Sequence, residues 1–187
     1  MKKSVAAAGG KIAGILAACF LLVVLTHLAA ASALETKSER EIYRALKELV
    51  PARGFGAREA VSGAASIPGF YRVIGRPGEE QSAVLLVEAE GYRGKLSLLV
   101  HCKVNGEILA ARLLPSREYP GMGKEAEKRT YMRKFIGTGG TKPVPLSLRE
   151  LPPREAATVS GASRTFSGIA RALESASAFV KNGGIRK

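Results

Sequence analysis

The sequence contains no Asp and no Trp, so all sixteen acidic side chains are Glu. That excludes EF-hand loops, Asp-based magnesium sites and a Ser-His-Asp triad. Carboxylate-pair hydrolysis would need two Glu, and no pair stands out. Two cysteines, Cys19 and Cys102, are too few for a disulfide scaffold or a thiolate metal cage. Two histidines, His27 and His101, cannot furnish a His-rich metal centre.

What remains is 187 residues, 46% hydrophobic and 24% charged, enough for one ordinary domain and a short appendage. The net charge is +13. Lys2, Lys3 and Lys11 precede the apolar run, and every Glu follows it, which leaves +10 on the part after residue 34. Such a surface suits an anionic neighbour. The basic residues are scattered, and no basic helix interleaved with aromatics occurs, so no nucleic-acid partner is expected. A solvated surface beside an anionic membrane accounts for the charge.

Residues 12–34 carry no Asp, Glu, Lys or Arg. As a helix they would reach roughly 34 Å, enough to cross a bilayer core of about 30 Å. Three lysines before the run and Glu35 after it predict a cytoplasmic N-terminus. Residues 1–34 are thus expected to form a single-pass anchor in the cytoplasmic membrane. Residues 35–187 would form one extracytoplasmic domain. Ala31-Ser32-Ala33 also fits a signal-peptide cleavage site, although the apolar run is longer than a usual signal core. Leu16-Ala17-Ala18-Cys19 resembles a lipoprotein processing site, but eight largely apolar residues follow it without need. His27, near the outer end, is expected to be a tolerated interfacial residue rather than a proton relay.

Beyond the anchor, residues 35–50 predict an amphipathic helix with Ile42, Leu46 and Leu49 on one face, stopped by Pro51. Residues 51–69 predict a loop. Phe70–Ile74 and Ser82–Glu88 predict strands. Lys95–Leu114 holds two apolar runs around Asn105-Gly106, which predicts a hairpin with a two-residue type I′ turn. Leu98, Val100, Cys102 and Val104 share one strand face. Cys102 is then a core residue, and His101 points the other way, so a catalytic Cys-His pair is excluded.

Residues 115–123 predict a turn-rich loop, and 124–136 a second helix with Tyr131 and Phe135 one turn apart. Gly137–Thr141 lacks the ending of a phosphate loop and predicts a flexible connection. Pro145–Leu148 predicts a short strand. Phe166, Ile169, Leu173, Ala176 and Val180 repeat by threes and fours, predicting a long last helix closed by Asn182-Gly183-Gly184. The whole predicts an α+β fold: an N-terminal transmembrane helix, then a mainly antiparallel sheet with flanking helices.

One cluster points to ligand chemistry: Ser160, Gly161, Ala162, Ser163, Arg164 and Thr165 at the start of the last helix. Amide N–H groups at a helix N-terminus favour a phosphate. Gly161 permits close backbone approach, and Arg164 can pair with phosphate oxygens. The same residues also make a good N-cap sequence, which needs no ligand.

Ser160-Gly161-Ala162-Ser163, with Thr165 beyond, resembles the flavin motif of the FMN-binding domain family, Asp-x-x-Ser/Thr-Gly-Ala-Thr. Gly91-Tyr92-Arg93-Gly94-Lys95-Leu96 resembles that family's Gly-Tyr-x-Gly-x-Ile strand entry. Asn105-Gly106-Glu107-Ile108 is similar to its hairpin, and Glu118-Tyr119-Pro120-Gly121-Met122-Gly123 to its Glu-Thr-Pro-Gly-Leu-Gly loop. Within the family the likeness is to the G subunits of Rnf-type (Rsx) electron transport complexes. These are related to the C subunits of sodium-pumping NADH:quinone reductases. The resemblance covers essentially the whole chain. It implies a redox subunit that is not catalytic alone, with FMN held by a phosphoester on Ser163. Glu118, Gly121 and Met122 are implied to lie in a loop shielding the ring. It also implies partners: the other subunits of an ion-translocating membrane complex, and a flavin transferase during maturation.

Two departures stand against the family pattern: Ser163 replaces Thr, and Ala157 replaces Asp. A serine hydroxyl can undergo the same chemistry. The loss of Asp bears on recognition by the transferase and motivates a second expectation, a flavin-free accessory or assembly subunit of the same fold. A third is a stand-alone extracytoplasmic flavodomain.

Overall fold

In residues 95–103 every second side chain is buried, and that period of two builds the centre of a sheet. The fold is seen in a computed structural model that describes residues 19–26, 38–78, 80–159 and 162–186. The chain divides into two units, residues 1–43 and 44–187.

In the first unit, residues 19–26 are helical and exposed. The rest of the expected membrane helix, 12–18 and 27–34, lies outside the described residues, as does His27. No helix among the described residues is long and apolar enough to cross a membrane. Helix α1 occupies 38–49 and stops before Pro51, as expected.

The second unit is α+β with an antiparallel sheet, as expected. The sheet has six strands: β1 (Gly54–Phe55), β2 (Glu59–Ala60), β3 (Gly69–Ile74), β4 (Ser82–Glu90), β5 (Lys95–Lys103) and β6 (Ile108–Leu113). The order is β1-β3-β4-β5-β6, with β2 pairing β3 beside β1. Every pairing is antiparallel. The first two strands are short pieces within what the sequence suggests is a loop.

One sheet face presents Leu85, Val87, Leu98, Val100 and Cys102. Helix α4 (Ser163–Lys181) packs on it with Phe166, Ile169, Leu173, Ala176 and Val180, all fully buried and all on the predicted stripe. The opposite face buries Val84, Leu86 and Leu99. Arg112 pairs with Leu99 across the ladder, so it lies on this second face, where it bonds Glu48 of α1 at 2.5 Å. Burial of Ala45 and Leu46 accords with the end of α1 covering that face.

Several expectations change. The hairpin does not close through a two-residue turn: Asn105 has no positive φ, whereas Gly106 sits at φ 88°. Lys103 and Glu107 close a three-residue loop, with Gly106 N–H donating to Lys103 O. This is a type I turn followed by a left-handed glycine. The Gly137–Thr141 segment is packed rather than a loose connection. Gly137 N–H donates to Ile108 O, Gly140 N–H donates to Ser177 Oγ, and a Cβ on Gly139 would strike Gly106 O.

Residues 124–136 are not one helix. They form a 3-10 turn (Lys124–Glu127), helix α2 (Arg129–Met132) and a second 3-10 turn (Arg133–Phe135), with Lys128 extended between the first two. On a continuous helix Ala126 would lie about 140° around the axis from Tyr131. The break at Lys128 turns both into the core. Pro145–Leu148 is not a strand, since prolines 143 and 145 cannot donate to a ladder; Leu148–Glu150 is a 3-10 turn. Helix α3 (Pro153–Ala157) then leads toward α4.

Candidate functional site

Helix α4 begins at Ser163 with Ala162 at the N-cap, and no side chain caps it. The expectation that hydroxyls cap this end is therefore not met among the described residues. Alanine offers no acceptor, so no side chain among the described residues takes a first-turn amide. Ser160 and Gly161 lie outside the described residues.

The remaining predicted site residues separate by direction. Ser163 and Arg164 are exposed on the first turn, and Ala162 is buried. Thr165 is fully buried. Its hydroxyl lies 3.0 Å from Glu118 Oε2 and 3.1 Å from Met122 O. Glu118 is only 5% exposed. Its other oxygen accepts the backbone N–H of Arg93 at 2.9 Å. Glu118 is thus an internal post, joined to the β4–β5 turn on one side and to the head of α4 on the other.

Glycines make room for this carboxylate. A Cβ on Gly91 would stand 2.5 Å from Glu118 Oε1, and one on Gly123 would collide with Glu118 Oε2. Gly121 takes φ 79° with open space beside it, and the Met122 side chain is 44% exposed. The Arg93 guanidinium stacks 4.3 Å above the Tyr119 ring. Tyr92, Tyr119 and Met122 are exposed large side chains of the two loops that Glu118 ties together.

A second layer braces the loop. Ser116 N–H and Oγ–H both donate to Glu127 Oε1, as does Lys124 Nζ. Burial pushes Glu127 up, but Lys124 and Ser116 outweigh it and hold the carboxyl below its usual range. Elsewhere, burial lowers His101 to about 4 and raises the Cys102 thiol to about 12. Both sit in the sheet on opposite faces, as expected. His101 Nε2 meets Ser82 Oγ at 2.9 Å. Among the described residues no cluster of His, Cys or Glu has metal-site geometry.

Sequence reasoning missed the Thr165–Glu118 pairing, which joins residues remote in the chain.

Residues 91–178 match the FMN-binding domain family. The match begins at the β4–β5 turn and ends within α4, and so contains the Glu118 post and the α4 head. Three curated relatives share one name, that of the G subunit of an ion-translocating oxidoreductase complex. The one from Shewanella baltica is 23% identical over 133 residues, 64% of this chain and 62% of its own length. The one from Shewanella oneidensis is 35% identical over 57 residues, 29% and 27% of the two chains. The one from Buchnera aphidicola is 39% identical over 51 residues, 26% and 25%. The chain thus spans between a quarter and about three fifths of these relatives' lengths.

Proposed function

Starting from the match of residues 91–178 to the FMN-binding domain, we propose that the chain is a flavin-carrying electron-transfer subunit of an ion-translocating oxidoreductase complex. In this reading FMN is joined by a phosphoester to Ser163. The observation that carries the attachment point is the division of hydroxyls at the head of α4. Ser163 is exposed on an uncapped helix turn, while Thr165, two residues on, is buried and engaged by Glu118.

The residues present fit such a group. Among the described residues no side chain accepts from the first-turn amides, which suit phosphate oxygens, and the helix dipole adds about half a positive charge there. Arg164 adds a full one. Glu118, Gly123 and Thr165 fix the angle at which the head of α4 leaves the loop. When bound, the flavin supplies the capacity to accept and release electrons; the chain binds it, orients it and tunes its potential through nearby charge.

The reading extends to the N-terminus. Residues 1–34 anchor the chain through a single membrane helix, and residues 35–187 act outside the cytoplasm alongside the other subunits. A flavin transferase attaches the FMN. The names of the relatives and the charge-free run 12–34 support this part.

The test is the intact mass of the full chain after co-expression with its flavin transferase. A gain equal to FMN less water is expected, with yellow in-gel fluorescence, and Ser163→Ala abolishes both. Retention of the adduct by Ser163→Ala would refute the assignment. Ala157, standing where the family has Asp, favours one other reading: a flavin-free accessory subunit. An unchanged mass with the cognate transferase would establish that instead.

A further inference from the structure

Glu48 stands in the last turn of α1, where the helix dipole disfavours a negative charge. Arginines hold it there. Arg112 Nη1 of β6 donates to Glu48 Oε2 at 2.5 Å. Arg129 of α2 donates through Nη2 to Glu48 O at 3.2 Å and lies 3.9 Å from Glu48 Oε2. Arg112, with Arg129 and Arg44 beyond it, keeps the Glu48 carboxyl below its usual range. Three guanidiniums thus meet one carboxylate, and the excess is positive.

The backbone stays helical through Met132 and Arg133, so Arg133 stands about one turn beyond Arg129. Arg133 also lines a cleft of about 540 Å³. Lys134 and Lys142 add two more cations to its walls, while Ile136 and Pro143 give it apolar surface. Ile136 is 44% exposed. One carboxylate of the lining, Glu150, already accepts Leu146 N–H and Ser147 Oγ–H. The other, Glu155, acts on Lys134 and opposes the burial that lowers it. Among the described residues Arg44, Arg133, Lys134 and Lys142 form no salt bridge.

Cations without a carboxylate partner, set beside exposed apolar side chains, suit an anion that carries a hydrophobic part. A phospholipid is such a molecule: its phosphate pairs with guanidinium, and its glycerol and acyl carbons lie just beneath. The course of the chain favours a bilayer over an acidic protein. Ten residues separate Arg44 from the end of the charge-free run 12–34, and the last six steps are helical. Arg44 therefore stands within about 25 Å of that end. A tethered surface meets its partner at high effective concentration, so a weak attraction suffices.

Resting on the reading of residues 12–34 as a membrane anchor, we propose that Arg44, Arg129 and Arg133, with the cleft that Arg133 lines, form a docking surface for the headgroups of acidic phospholipids. Contact there holds the domain down on the bilayer that anchors it.

The experiment uses the full chain reconstituted into vesicles. Thr130→Trp, exposed in α2 beside Arg129, places a single fluorophore in a chain that has no Trp. A nitroxide on a trace of the headgroups quenches it at close range. Quenching is stronger in mixed phosphatidylglycerol–phosphatidylcholine vesicles than in phosphatidylcholine alone. It falls to the phosphatidylcholine level when Arg129→Gln and Arg133→Gln are combined, and when salt is raised without any substitution. Arg171→Gln with Arg186→Gln removes the same charge from exposed positions on and after α4, and leaves the quenching intact. Quenching indifferent to lipid charge or to salt would overturn the proposal and leave the cluster to an acidic protein surface. An equal loss in the Arg171/Arg186 pair would also overturn it, since overall charge would then explain the attraction. Failure of the wild-type chain to float with phosphatidylcholine vesicles would overturn the anchor reading itself; flotation with charge-indifferent quenching overturns only the docking surface.

Discussion

The Thr165 hydroxyl lies 3.0 Å from Glu118 Oε2, joining residues 47 positions apart. It ties the first turn of α4 to the loop leaving β6. Thr165→Val removes the donor and leaves a buried carboxylate oxygen without its partner. A loss of about 1–3 kcal/mol in urea unfolding is expected. Glu118→Gln should be far milder, because an amide can donate to the threonine oxygen while that hydroxyl donates to Met122 O. Equal losses in the two variants would contradict this description of the post.

Gly168 faces Glu90 O so closely that no Cβ fits. Gly168→Ala should destabilise by about 1–3 kcal/mol through overpacking, although alanine is the better helix former. Thermal unfolding measures it; an unchanged or raised Tm would mean that α4 can move off the strand.

His101 has its pKa lowered to about 4 by burial, against 6.5 in an ordinary setting. The unfolded chain therefore binds its proton first on acidification. Stability should be fully present above about pH 6.5 and fall as the pH drops toward 4, by up to about 3 kcal/mol. Denaturant midpoints across that window give the slope, and His101→Gln should flatten it. A slope unaltered in the variant would assign the effect to other groups.

Cys102 is fully buried, and its thiol is raised to about 12. Native protein should leave it unmodified by iodoacetamide at pH 8, and denaturant should expose it to reaction at once. Rapid labelling of Cys102 in the folded state would show that β5 opens locally.

The amount legible in the sequence varied with the distance over which each feature is determined. The α4 stripe from Phe166 to Val180 and the alternation of β5 are local periodicities, and both fold as their spacing dictates. Asn105-Gly106 marked the hairpin correctly but not its turn type; a Cβ on Gly106 would stand 2.7 Å from Ser177 O of α4, a closeness that no dipeptide encodes. The break at Lys128 was invisible for a similar reason: Ala126 and Tyr131 both answer to the sheet beneath them. At the candidate site, Ser163 and Arg164 could be picked out from the helix-opening pattern. The inward turn of Glu118 could not, because it depends on glycines 91 and 123 clearing space from two different loops.

Ala162 opens α4 without a side-chain acceptor, and this has a consequence for maturation. A phosphate esterified to Ser163 would bring its own oxygens to the bare amides of the turn that carries it. Attachment would then complete the helix as well as load it, and the mature chain would melt at a higher temperature than its unmodified precursor.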